Sequence, residues 1–110
     1  MNEFKKLFSL ALEELDIATL LLEREHYRTS ISRSYYSMYY AAQSLLLSQN
    51  IDASTHKGLI RLFSLHFVKT GRFSPEWSNA IKKRKFNSRY VTVYILWIKH
   101  SMNTQIVDAI

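Results

Sequence analysis

Apolar residues recur along the chain at the spacing of an α-helix. At ~100° per residue, Phe4, Leu7, Phe8, Ala11, Leu15, Ala18 and Leu22 share one stripe, and Lys6, Ser9, Glu13 and Asp16 fall opposite it. This pattern predicts an amphipathic helix over 2–25. A second helix is expected over 27–49, closed by the turn-prone Asn50-Ile51-Asp52, with Ser54 or Thr55 as the next N-cap. A third covers 55–69 and stops at Thr70-Gly71, where glycine suits the left-handed position after a helix. Ser74-Pro75-Glu76 has the order of a helix start and opens a fourth helix running to about Lys85. The run Tyr90 to Ile98 is β-branched and aromatic enough for a buried strand. However, Val91, Tyr94, Ile95, Ile98, Met102 and Ile106 continue a helical stripe, and no other segment offers a strand to pair with. The expected fold is all-α, an up-and-down bundle of four or five helices in a single domain over residues 1–110.

The second helix carries two faces. With Arg33 at the origin, Ile31, Tyr35, Met38, Tyr39, Ala42, Leu45 and Leu46 cluster within ~60° of the opposite pole and form the core face. Thr29, Arg33, Tyr36, Tyr40, Ser44 and Leu47 lie within ~60° of Arg33 itself. The last helix repeats the feature, with Val93, Leu96, Trp97 and His100 opposite its main stripe. A second apolar row on a small domain needs a cover, so a homodimer with helix against helix is expected. The alternative for Tyr36 and Tyr40 is a central helix whose hydroxyls are satisfied internally. Arg33 needs an anion, either a carboxylate such as Glu23 or Glu25 or a bound phosphate.

Composition narrows the chemistry. The chain has 110 residues, no cysteine, two glycines and one proline. Thiol catalysis, zinc fingers and iron–sulfur sites are thereby excluded, and Gly58 and Gly71 lie too far apart for a phosphate-cradling loop. His26, His56, His66 and His100 show no metal-ligand spacing, and neither a metal nor another cofactor is expected. The start, Met-Asn-Glu-Phe-Lys-Lys, leads into an amphipathic segment rather than an apolar signal core, so a cytoplasmic protein is expected. The longest uncharged run, Ser34 to Ile51, is too polar to span a bilayer.

Charge is distributed unevenly. Residues 1–55 hold five Lys/Arg against seven Asp/Glu, whereas residues 56–100 hold ten basic residues against Glu76 alone, and Asp108 completes the net of +6. The densest part is Lys82 to Arg89. Such an asymmetry points to a polyanion, RNA or nucleotide, and its alternative is a solvated basic face. At the start of the third helix, His56 beside Lys57 and Gly58 can hold a phosphate, or else cap and pack locally. His66 falls with Leu59, Leu62 and Phe63 and is expected in the core.

The segments Ser32-Arg33-Ser34-Tyr35-Tyr36-Ser37-Met38-Tyr39-Tyr40-Ala41-Ala42, Thr55-His56-Lys57-Gly58 and His66-Phe67-Val68-Lys69-Thr70-Gly71 together resemble the HEPN superfamily, most closely its small stand-alone prokaryotic members. The resemblance covers about residues 5–108. It implies a helical bundle that dimerises and binds RNA or nucleotide, often as a toxin encoded beside a minimal nucleotidyltransferase antitoxin. In the catalytically active form it further implies a metal-independent endoribonuclease, with Arg, four to six residues, then His at the dimer cleft.

Entering the last helix this chain reads Arg84-Lys85-Phe86-Asn87-Ser88-Arg89-Tyr90, with Arg89 where the His would stand. A guanidinium is a poor general base near neutral pH. The literal match, Arg61 to His66, lies within the third helix, where five residues place the two side chains ~140° apart. The expectation is therefore a binding module that uses Arg33, Tyr36, His56, Lys57, Arg84, Lys85 and Arg89 at a homodimer cleft, in a toxin–antitoxin or defence operon. One alternative is an endoribonuclease with a degenerate motif drawing on Arg84, Arg89, His100 or Tyr90. The other is a helical subunit whose tyrosines and Trp97 bind a nucleotidyltransferase.

Overall fold

The structure, a computed structural model, describes residues 3–83 and 91–106. It comprises α1 (Glu3–Glu23), α2 (Tyr27–Ser48), α3 (His56–Phe63) continued by a π-helical turn (Ser64–Val68), α4 (Pro75–Lys83), and α5 (Val91–Ser101) continued by a second π-helical turn (Met102–Ile106). No strand occurs among the described residues, so Val91–Ile98 is helical, as its long stripe requires. The protein is an all-α bundle in which α2 is the central helix and packs against α1, α3, α4 and α5.

The contact between α1 and α2 is stitched in a way the apolar stripe does not show. Ser30, Ser37 and Ser44, fully buried and seven residues apart, donate their hydroxyls to the carbonyls of Ala18, Ala11 and Phe4 at 2.7, 2.7 and 2.6 Å. The acceptors are also seven apart and run the opposite way, as an antiparallel pair demands. The buried Ala11 and Ala18 have no bulk to hold the backbones apart, so each hydroxyl reaches a main-chain oxygen directly. Ser44 consequently faces α1 and not the outer row expected for it.

Both ends of this hairpin close with a left-handed residue. Glu25 has φ 63° and Asn50 φ 61°, with His26 N–H donating to Leu21 O at 2.8 Å and Ile51 N–H to Leu46 O at 2.9 Å. These are six-residue helix-terminating bonds, which satisfy carbonyls that the helix ends leave open. Gly71, with φ 81°, ends the α3 segment as expected.

Large rings fill the second half. Phe63, Phe67, Phe73 and Trp77 are buried and contact one another at 5.4–6.0 Å between centroids. Trp97 lies half-buried on Trp77 at 5.6 Å. The outward-facing Trp97 expected from helical spacing is thus partly covered by α4, whereas Val93 and Leu96 remain exposed at 63% and 62%.

The π-helical turn overturns the expected placement of His66. In a continuous α-helix both His66 and Phe67 would flank the row of Leu59 and Phe63. Bonds of the i→i+5 type, such as Lys69 N–H to Ser64 O at 2.8 Å, widen the turn by one residue. Phe67 then falls behind Phe63 and is buried, while His66 is rotated out of the core and exposed.

Candidate nucleic-acid interface

The Thr55-His56-Lys57-Gly58 segment builds the junction between α2 and α3. Thr55, in an extended conformation, accepts the Gly58 N–H on its hydroxyl at 2.9 Å and so caps α3. A Cβ on residue 58 would come within 2.8 Å of that hydroxyl oxygen, which accounts for the glycine. His56 turns back on α2. Its Nδ1 lies 3.2 Å from the Tyr35 hydroxyl, and its ring stacks on Tyr39 at 5.6 Å and 5°.

Four tyrosines surround this contact. Tyr35 is buried; Tyr36, Tyr39 and Tyr40 are half-buried. Tyr36 stacks on Tyr40 at 6.3 Å, and Tyr35 meets Tyr36 edge-on at 5.4 Å. Tyrosines at i, i+1, i+4 and i+5 of one helix, joined by a histidine from the next, form a ladder of ring contacts around α2. Such rings offer flat faces and polar edges at the surface.

The candidate residues do not form one cluster. Tyr36 and His56 belong to this ladder, and Lys57 is exposed beside it. Arg33, within ~60° of Tyr36 and Tyr40 around α2, turns instead to α1, where one guanidinium nitrogen meets both carboxylate oxygens of Glu14 at 3.2 Å. Its partner is therefore Glu14 and not Glu23 or Glu25, because the serine register sets residue 33 opposite the middle of α1 while the other two glutamates sit at the turn. His100 is exposed on α5 and takes no part in the ladder. Arg84, Lys85, Arg89 and Tyr90 lie outside the described residues. Arg61 and His66 both reach solvent, and among the described residues no hydrogen bond joins them.

Sequence reasoning missed the serine ladder, although its signal was present in the shared seven-residue spacing of Ser30, Ser37 and Ser44 and of Phe4, Ala11 and Ala18. Among the described residues no group of three His, Asp or Glu side chains could hold a metal ion, and no helix is long and apolar enough to cross a membrane.

A helical bundle built on a central tyrosine-rich helix, with a capped Thr-His-Lys-Gly junction, defines the class. The HEPN domain family matches residues 4–95, and the chain belongs to that family. It is 52% identical over 64% of its length to a UPF0332 protein of Pyrococcus horikoshii, the match covering 49% of that protein. It is 34% identical over 84% of its length to a protein of Methanocaldococcus jannaschii named "Putative toxin", covering 69% of it, and 38% identical over 69% to a UPF0332 protein of Thermotoga maritima, covering 61%. The matched part thus spans about half to two thirds of these relatives. No solved structure gives a significant match.

Proposed function

We propose that this HEPN protein binds RNA through its basic second half, at a cleft formed when two copies pair, and that it acts in a toxin system. The observation that carries the reading is the state of its charges. Among the described residues the ion pairs, Lys6–Glu3 and Arg33–Glu14, lie in the first half, and no described basic side chain from residue 56 onward is paired with a carboxylate. Unneutralised cations facing solvent are what a polyanion requires. The tyrosine–histidine ladder supplies stacking faces of the sort that single-stranded nucleic acid uses. Arg84, Lys85 and Arg89 add the densest charge and are assigned to the same cleft.

The deciding measurement is RNA affinity as a function of salt. Counterion release makes affinity fall steeply with ionic strength when phosphates are bound. The Arg84→Ala/Arg89→Ala variant should bind more weakly, with a shallower salt slope. A flat salt response in the wild-type protein overturns the reading.

The HEPN family match, with relatives named "Putative toxin", supports one second reading, an endoribonuclease. RNA cleavage in EDTA, lost in the same double variant, is the result that would establish it. The third possibility, a subunit for a nucleotidyltransferase, has less support, since Trp97 is half covered by Trp77.

A further inference from the structure

The outer side of α3 carries a row of exposed residues that neither the family match nor the ladder explains. Lys57, Arg61, Leu65 and Lys69 follow one another at four-residue intervals and all face solvent, opposite the buried Leu59, Phe63 and Phe67. In an uninterrupted α-helix each four-residue step drifts ~40° around the axis, which would carry Lys69 ~120° from Lys57. The π-helical turn at Ser64–Val68 removes much of that drift. The distortion that seats Phe67 in the core therefore also brings Lys69 back into line with Arg61.

The row is chemically one-sided. No acidic residue lies between Asp52 and Glu76, and none of the three cations is in an ion pair among the described residues. Arg72 stands apart, held over the Phe67 ring at 4.9 Å. The row rises ~6 Å per step and ~18 Å in all. It starts at Lys57, the residue after the His56 that stacks on Tyr39, so a charged track and an aromatic ladder meet at one junction. Basic tracks flanked by stacking rings are how proteins hold single strands, with cations following the backbone and rings taking bases.

We propose that the Lys57–Arg61–Lys69 row is a docking track for the phosphate backbone of single-stranded RNA, a contact additional to the one proposed for Arg84, Lys85 and Arg89. The inference rests on the RNA reading above and assigns a second contact to it. On this geometry an RNA strand bound at the ladder runs outward along α3, with the exposed Leu65 giving an apolar contact midway.

The test is fluorescence anisotropy of a labelled oligouridylate across a salt series. The Lys57→Glu/Arg61→Glu/Lys69→Glu variant should lose roughly tenfold or more in affinity, and its salt slope should fall by about two for three lost contacts on a single strand. The neutral Lys57→Gln/Arg61→Gln/Lys69→Gln variant should lie between it and the wild type. Circular dichroism should be unchanged in both, because the row is on the surface. Lys5→Glu/Lys6→Glu/Arg28→Glu makes the same change in net charge in the first half and should bind nearly as the wild type does. Equal losses in that control would mean that only overall charge matters, and would overturn the track. Wild-type affinity in the row variant, with binding lost in Arg84→Ala/Arg89→Ala, would overturn the track and leave the RNA reading standing. No binding by the wild type would overturn both, and tighter binding of a duplex than of the single strand would overturn the single-strand assignment.

Discussion

The two halves of this bundle are held together by different means. In the α1–α2 hairpin, three buried hydroxyls seat on three main-chain carbonyls at fixed seven-residue steps, and sliding the helices by even one residue would break all three. In the second half, Phe63, Phe67, Phe73, Trp77 and Trp97 meet through their faces and edges, and the buried Trp77 Nε1–H has no hydrogen-bond partner among the described residues. The hairpin specifies its geometry by directional contacts between small groups. The aromatic half specifies its own by volume, and it accommodates an unpartnered donor and a π-helical turn. Charge follows the same division: the net positive charge lies on the half whose backbone is less regular, whereas the first half holds more acidic than basic residues and pairs Arg33 with Glu14.

The sharpest test of this contrast is at Trp77. Trp77→Ala should cost about 3–5 kcal/mol through the cavity it leaves among the rings of Phe63, Phe73 and Trp97. Trp77→Phe should cost far less, about 1 kcal/mol, because the lost area is offset by removing an N–H whose burial without a partner itself costs about 1–3 kcal/mol. Urea unfolding of both variants checks this. A Phe variant as damaged as the Ala variant would show that the indole is held by more than its volume.

The next effect is at Ser37, in the middle of the ladder. Ser37→Ala should cost about 1 kcal/mol, one hydrogen bond lost from a carbonyl that keeps its helical partner. Ser37→Leu should cost more, about 1–3 kcal/mol from overpacking alone, since the side chain must enter a contact made close by Ala11. If leucine were tolerated there as well as alanine, the hairpin would be no more tightly specified than the aromatic half.

These contrasts also mark what the amino-acid pattern could disclose. Helical periodicity located each α-helix among the described residues, because burial on one face is an average over many residues and survives local error. The cap at Thr55 and the left-handed Gly71 were legible because each depends on one residue type with one conformational preference. His66 was misplaced because a π-helical turn changes phase without a compositional mark, so counting at ~100° per residue carries an error onward from Ser64. Arg33 was given a partner at the wrong end of α1 because register depends on the serine ladder, and polar residues are discounted when a core is sought. Tyr36 and Tyr40 were visible as a second face and Tyr35 and Tyr39 as part of the core face, but the contact of His56 with Tyr35 and Tyr39 needed the return of α3, which no local pattern encodes.

The smallest effect is expected at the turn that joins α1 to α2. Glu25 occupies the left-handed region at φ 63°, where a side chain with a Cβ is disfavoured by roughly 1–2 kcal/mol, while the equivalent positions are filled by Asn50 and by Gly71. Asparagine visits this region more readily than other non-glycine residues, and glycine enters it freely. Glu25→Gly should therefore stabilise the protein, by less than about 1 kcal/mol once the greater freedom of glycine in the unfolded chain is subtracted. Asn50→Gly should change stability less, and Gly71→Ala should lower it by a comparable amount. Thermal melts of the three variants give the order directly. The turn then proves to be the strained part of the hairpin and the serine ladder the part that fixes its register, and Glu25→Gly should raise Tm while RNA affinity, which we propose resides in the other half, stays where it was.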